Sequence, residues 1–80
     1  MTISDKDRRA LIEHRIDKSR EALYDAQYLL DGGRCTGAVN RIYYGVFHAL
    51  SALALRHSFS TSKHRRLIGW FNREFVKPRK

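Results

Sequence analysis

The sequence predicts an all-α protein, an antiparallel up-and-down bundle of three helices. The predicted helices cover about residues 4–31, 36–57 and 61–77. Apolar residues recur at intervals of three and four over long stretches, as on one face of a helix, and no stretch shows the sustained alternation of a strand. Turn signals divide the segments, since Gly32 and Gly33 end the first, the polar run 57–62 ends the second and Pro78 ends the third.

The first predicted helix begins at Ser4 or Asp5, and Gly32 or Gly33 is its natural C-terminal cap. Its apolar or small residues form one stripe that would face a partner surface, and they are Ile12, Ile16, Ser19, Leu23, Ala26 and Leu30. The other faces of this helix carry polar and charged residues, among them Arg9, Arg15, Lys18 and Asp25.

The second predicted helix is apolar around much of its circumference, which is typical of a helix covered on more than one side. Thr36 is its expected N-cap. Its apolar residues are Val39, Ile42, Tyr43, Val46, Phe47, Leu50, Leu53 and Ala54. Two flanking helices cannot cover so much apolar surface, so either further helices follow or a second copy of the chain covers it.

The third predicted helix is capped by one of residues 60–62. Its apolar face consists of Leu67 or Ile68, Phe71 and Phe75, and His64 lies one turn earlier on the same stripe. Basic residues lie on or near the opposite side, and they are Arg65, Arg66, Arg73 and Lys77.

The composition limits the class of protein. With 80 residues the chain is expected to form a single domain over residues 1–80. The formal charge of +8 favours nucleic acid, a nucleotide phosphate or another anionic partner, although a solubilising surface explains it equally well. The single Cys35 cannot form an internal disulfide and indicates a reducing, cytoplasmic location. No apolar run is long enough to cross a bilayer, so no membrane contact is expected.

The strongest candidate site lies on the second helix. Arg41 and His48 share a face there, because seven residues complete almost two turns. A guanidinium donates to phosphate oxygens, and an imidazole moves protons near neutral pH. Together they could bind an RNA phosphate and move the 2′-hydroxyl proton, with Asn40 and Tyr44 orienting these groups.

These residues also have structural interpretations. His48 could be a hydrogen-bonded packing residue, and Arg41 could pair with a carboxylate such as Asp17 or Glu21. The two adjacent tyrosines of the same helix are by default core aromatics whose hydroxyls reach the surface.

A second candidate site is the basic cluster at the start of the third helix. The cluster consists of Lys63, His64, Arg65 and Arg66, at a helix N-terminus that favours phosphate, or it is only a solvated turn of charge. His64 is also readily a packing histidine. The four histidines show no metal-ligand spacing and the glycines no phosphate loop, so no metal and no cofactor are predicted.

Three stretches of the chain carry a family resemblance. They are the helical pattern from Arg15 to Gly33, the run Ala38-Val39-Asn40-Arg41-Ile42-Tyr43-Tyr44-Gly45-Val46-Phe47-His48-Ala49-Leu50, and the pattern from Lys63 to Val76. Together they cover about residues 11–77 and resemble the HEPN domain family. The middle run is the specific part.

The resemblance implies an up-and-down helical bundle, commonly dimeric, of the prokaryotic toxin–antitoxin and defence systems. Many members are metal-independent endoribonucleases that use an arginine followed a few residues later by a histidine, and Arg41 and His48 match this motif. Asn40 matches the polar residue before the arginine. The resemblance further implies a composite RNA-cleaving site at a homodimer interface and a nucleotidyltransferase-type antitoxin as partner.

The resemblance leaves other interpretations open. Some HEPN proteins bind a nucleotide or a partner protein without cleaving anything. The C-terminal helices that usually close the bundle are absent after Lys80, so a truncated fragment without independent function is a third interpretation. An HEPN-type endoribonuclease is the leading hypothesis, and the binding module is the alternative.

Overall fold

The computed structural model describes residues 4–77 and contains three α-helices. They are α1 (Asp5–Asp31), α2 (Cys35–Arg56) and α3 (His64–Phe71), and a short π-helical segment, Asn72–Val76, continues α3. Residues 4–77 contain no strand, so the predicted all-α class is confirmed. None of these helices has the length and hydropathy that a membrane crossing requires. Pro78, expected to end the third helix, lies outside the described residues.

Both ends of α1 follow from local sequence. The Ser4 side chain accepts a hydrogen bond from the backbone N–H of Asp7 at 3.1 Å and so caps the helix. Asp5 and Asp7 lie in the first turn, where the helix dipole favours negative charge. At the other end Gly33 has a φ of 77°, a conformation that glycine adopts without the steric penalty of a side chain.

The start of α2 differs from the prediction, because Thr36 is not its N-cap. The cap position is Arg34, and no side chain caps the helix there. Backbone bonds of the tight turn hold this end instead. The N–H of Arg34 donates to the carbonyl of Leu29 at 2.8 Å, and the carbonyl of Arg34 accepts from the N–H of Ala38 at 3.0 Å.

α3 starts later than predicted, and none of residues 60–62 caps it. Its cap position is Lys63, without a side-chain cap bond. Thr61 instead stabilises the preceding turn, where its Oγ1 accepts from the backbone N–H of Lys63 at 3.2 Å.

α1 and α2 form an antiparallel hairpin with a close central contact. The Ser19 hydroxyl donates to the carbonyl oxygen of Gly45 at 2.8 Å in a buried position. Nearer the turn, Leu29 lies beside Gly37, so residue numbers fall on one helix as they rise on the other. The buried residues of α1 are all small, namely Ser19, Ala22 and Ala26. Small side chains let the two backbones approach closely.

The predicted apolar stripe of α1 meets this contact with its small members, Ser19 and Ala26, whereas its bulky members lie at the margin. Ile16, Leu23 and Leu30 of that stripe are 38%, 47% and 50% exposed. Arg15, which we expected on another face, is half-buried against α2. The close approach explains why small and bulky members of the stripe differ, because bulky side chains fit only along the margin of such a contact.

α3 packs on a different side of α2. Leu67 and Trp70 are buried with Ala54 of α2 in one core cluster, and the Trp70 ring stacks on Phe59 with the centroids 5.4 Å apart. Trp70 is therefore central to the core, although the predicted apolar face did not include it. Of the two residues left open there, Leu67 is buried and Ile68 is exposed.

The order of contacts along α3 gives its direction. His64, at its start, contacts Tyr43 and Phe47 in the middle of α2, whereas Trp70, near its end, contacts His57 just after α2. α3 therefore proceeds along α2 in the same sense as α2, and not in the antiparallel sense that we expected. The reason is that residues 57–63 lead the chain back along α2 to its middle before α3 begins.

One face of the hairpin is uncovered in residues 4–77, and we call it the open apolar face. Its exposed apolar residues are Ile16, Leu23 and Leu30 on α1 and Val39, Ile42 and Val46 on α2. A groove between Ile16, Ala49 and Leu53 joins the two helices on this side. The excess of apolar surface expected for the second helix is thus present, and it is concentrated on one face.

We predict that Ser19→Ala lowers the free energy of unfolding by about 1 kcal/mol, because it removes a buried hydrogen bond between the helices. Urea unfolding followed by circular dichroism measures this change. The matched control is Ser62→Ala, at an exposed position outside the helices, which should stay within about 0.5 kcal/mol of the parent. Equal stability of both variants would contradict this account of the helix contact.

Candidate functional site

The predicted pair Arg41 and His48 lies on the edge of α2 between α1 and α3. Both side chains are half-buried. Tyr44 lies between them along the helix, about one turn from each. We call this line of three residues the polar edge. It lies on the other side of α2 from the open apolar face, since residues 44 and 46 differ by roughly 200° around a helix.

Arg41 has an aromatic neighbour but no ion pair among residues 4–77. Its guanidinium carbon lies 5.5 Å from the centre of the Tyr44 ring, within cation–π range. Its Nε atom is buried and has no hydrogen-bond partner in the described part of the chain. The alternative pairing with Asp17 or Glu21 is not among the ion pairs of residues 4–77. These carboxylates instead lie 4.0 and 3.4 Å from basic neighbours on α1 itself.

His48 contacts a basic residue of α1. Its Nδ1 atom lies 3.0 Å from Nη1 of Arg15. Burial lowers the pKa of His48 below 6.5, and nearby positive charge lowers this pKa further. The charged or titratable neighbours responsible are Arg15, Lys18, His14 and Arg41. His48 is therefore mainly neutral at pH 7.

Aromatic rings connect the polar edge to α3. The Tyr43 hydroxyl is hydrogen-bonded to Nδ1 of His64, and the His64 ring lies 3.9 Å from the Phe47 ring between centroids. The guanidinium carbon of Arg15 lies 5.9 Å from the centre of the same Phe47 ring. His64, from the predicted basic cluster, thus occupies a half-buried packing position next to the polar edge.

The remaining predicted site residues are exposed, and they are Asn40, Lys63, Arg65 and Arg66. Asn40 precedes Arg41 on α2, while the three basic residues surround His64 at the start of α3. The structure therefore packs His64 against Tyr43 and Phe47. It leaves the basic neighbours of His64 at the surface, where they contribute positive charge.

Two residues near the polar edge were absent from the predicted site, namely Arg15 and Ser51. The Ser51 hydroxyl is buried without a hydrogen-bond partner among residues 4–77. It lines a cavity of about 20 Å³ together with Arg15 and Thr61, a space that suits one water molecule. The signal for Arg15 was its spacing from Ser19 and Ala22, which places these three residues on one side of α1.

The polar edge suits an anion next to an exchangeable proton. Arg41 supplies a fixed positive charge, His48 a neutral imidazole and Tyr44 a hydroxyl. An RNA phosphate beside a 2′-hydroxyl has this chemistry. Within residues 4–77 there is no group of three or more histidine, cysteine or acidic side chains that could hold a metal ion.

Comparison with known proteins gives the class of protein to which this fold and site belong. The HEPN domain model matches residues 12–80. The chain therefore belongs to the HEPN domain family, as the resemblance of its middle run predicted.

Several curated proteins are similar to the chain. A "UPF0332 protein" of Thermotoga maritima is 49% identical over 67 residues, which are 84% of this chain and 51% of the relative. Two proteins of Methanocaldococcus jannaschii, each named "Putative toxin", are 32% and 35% identical over 66 and 71 residues. These matches cover 82% and 89% of this chain and 45% and 53% of the relatives.

The chain thus spans about half the length of the curated relatives it matches. No solved structure matches it.

We predict that stability falls as the pH drops below about 6.5, in part through His48. Its pKa is lower in the folded state than in the unfolded chain, so the unfolded chain takes up the proton first as the pH falls. The stabilisation from neutral His48 is therefore complete above pH 6.5 and is lost below it. Urea midpoints measured from pH 8 to pH 5 test this, and they should depend less on pH in His48→Gln. An identical pH dependence in both proteins would contradict the lowered pKa.

Proposed function

We propose that the chain carries the site of a metal-independent endoribonuclease of the toxin or defence type. One observation carries this proposal: Arg41 and His48 lie on one edge of α2, and Arg41 has a buried, unpartnered Nε and no ion pair among residues 4–77. Membership of the HEPN family and the names of the two Methanocaldococcus jannaschii relatives support it.

In the proposed mechanism Arg41 donates to the non-bridging oxygens of the scissile phosphate and stabilises the charge that develops there. The 2′ oxygen attacks phosphorus, a 2′,3′-cyclic phosphate forms and the bond to the 5′ oxygen breaks. His48 takes the proton from the 2′-hydroxyl as a base or gives a proton to the leaving 5′ oxygen as an acid. Tyr44 and Asn40 orient these groups.

We propose that the basic cluster draws RNA toward this site. Lys63, Arg65 and Arg66 are exposed beside His64 at the start of α3, and the whole chain carries a formal charge of +8. Such binding is electrostatic and independent of base sequence. It weakens as the salt concentration rises, because the release of counterions from RNA then gains less free energy.

We also propose that two copies of the chain form a homodimer and that residues of both complete the RNA site. Tyr44 on the polar edge and Asn40 beside it are exposed and available to a second copy. Self-association would also stabilise a chain this small, which by itself buries only about 60–65% of the surface of its unfolded form.

A nucleotidyltransferase-type antitoxin is the protein partner that we propose, and the cytoplasm is the proposed location because RNA occurs there. The proposal of an antitoxin rests on the toxin names of the relatives, since a cell that makes an RNA-cleaving toxin needs a means to neutralise it.

We predict RNA cleavage in the presence of EDTA, with products that end in a 2′,3′-cyclic phosphate. Arg41→Ala and His48→Ala should each reduce the cleavage rate by at least about 100-fold, the usual size of a charge-stabilising or proton-transferring contribution. The control is Arg9→Ala, an exposed position on α1 that removes the same charge. It should cleave at close to the parent rate.

Folded Arg41→Ala and His48→Ala proteins that cleave as fast as the parent would overturn the assigned site. If the folded parent cleaves none of several RNAs, the alternative of a nucleotide-binding or partner-binding module is favoured. That alternative predicts a rise in melting temperature with a nucleotide but no product.

We predict that the chain in solution has twice the mass of a single copy. Size-exclusion chromatography with light scattering over a wide range of concentrations measures this mass. A mass that stays at one copy throughout would contradict the proposed homodimer, without bearing on which residues bind phosphate.

A further inference from the structure

Arg15 reaches from α1 to the imidazole of His48. Its Nη1 lies 3.0 Å from Nδ1 of His48, and its guanidinium carbon lies 5.9 Å from the centre of the Phe47 ring. Both contacts depend on the helix hairpin, since the Ser19–Gly45 hydrogen bond lies about one turn away along each helix. Arg15 is therefore held against His48 by the packing of two helices.

The chemistry of this contact assigns the proton on His48. A guanidinium has five N–H donors, no acceptor and a charge that persists at all working pH values. The Nδ1 atom facing it must therefore accept the hydrogen bond. A neutral imidazole that accepts at Nδ1 carries its proton on Nε2.

We propose that Arg15 is a positioning residue that holds His48 as the neutral tautomer with its proton on Nε2. In this state His48 presents a hydrogen-bond donor, and not a base, to a phosphate bound at the polar edge. The part of the proposal that concerns phosphate rests on the proposed function, whereas the tautomer concerns the free protein alone.

Burial and the charged or titratable groups that act on His48 all oppose a second proton on its ring. α1 contributes Arg15, Lys18 and His14, and α2 contributes Arg41. On α3, His64 contacts the adjacent Phe47 and is not among the groups that lower the pKa of His48. No carboxylate is among the groups that shift its pKa. A proton on Nδ1 would point an N–H at a guanidinium, so the imidazolium forms only if Arg15 moves away.

This contact narrows the two roles that the proposed mechanism left open. A base acting through Nε2 needs a lone pair there, and an acid needs the imidazolium. While Arg15 holds Nδ1, His48 has neither, and its contribution is a hydrogen bond from Nε2 to a phosphate oxygen. Either proton transfer then requires that the contact between Arg15 and His48 breaks.

The test is the tautomer and the pKa of His48 in the free protein, measured by long-range ¹H–¹⁵N correlation NMR and assigned by comparison with His48→Gln. We expect a protonated Nε2 and an accepting Nδ1 in the parent. In Arg15→Ala the pKa of His48 should rise toward 6.5, because the facing charge is lost. Arg15→Lys, which keeps a charged donor, should hold the pKa closer to that of the parent.

Lys18→Ala is the matched control, because it removes a nearby charge of α1 without touching His48. It should leave the tautomer unchanged and raise the pKa less than Arg15→Ala does. A parent protein with the proton on Nδ1 would overturn the proposal, and this measurement depends on no substitution of Arg15. An unchanged pKa in folded Arg15→Ala would overturn it as well.

These results stay separate from the outcome for the proposed function. The spectra require no RNA, so a protein that cleaves nothing still shows the tautomer. If it does cleave RNA, the limb of the pH–rate profile that belongs to His48 should move to higher pH in Arg15→Ala. If the parent cleaves RNA and carries the proton on Nδ1, only the proposed role of Arg15 is contradicted, and the proposed function stands.

Discussion

The close contact of α1 and α2 at Ser19 and Gly45 is the constraint on which the rest of the structure depends. The hydroxyl of Ser19 reaches the carbonyl of Gly45 only because no side chain separates the helices there. A Cβ atom at Gly45 would lie 3.1 Å from the Leu23 side chain, closer than carbon atoms normally pack. This spacing in turn lets Arg15 reach both His48 and Phe47.

The three sides of α2 explain why it is apolar around most of its circumference. One side packs against the small residues of α1, a second packs against α3 and a third is the open apolar face. The polar edge lies where the first two sides meet. Association through the open apolar face would therefore leave Arg41 and His48 accessible. A dimer that forms across the polar edge would instead leave the open apolar face uncovered and available to other protein surface.

The charges and the unpartnered donor at the polar edge favour a bound anion. Arg41 has a buried Nε without a partner in residues 4–77, and a donor left in this state costs free energy that a bound acceptor would recover. His48 is kept neutral by burial and by surrounding positive charge. Such an arrangement contributes little to folding, and it fits the phosphate binding that we propose for this edge.

The sequence by itself predicted the three helices, the start of α1 at Ser4 or Asp5, its end at Gly32 or Gly33, and the shared face of Arg41 and His48. These features are local, since they depend on residues within about two turns of one another. Tertiary structure decided which side of α1 is buried, the direction of α3, the uncapped start of α2 and the contact of Arg15 with His48. The bulky members of the predicted stripe on α1 lie at the margin because its small members permit a closer approach of the two helices. Only the packed pair of helices shows which of these effects prevails.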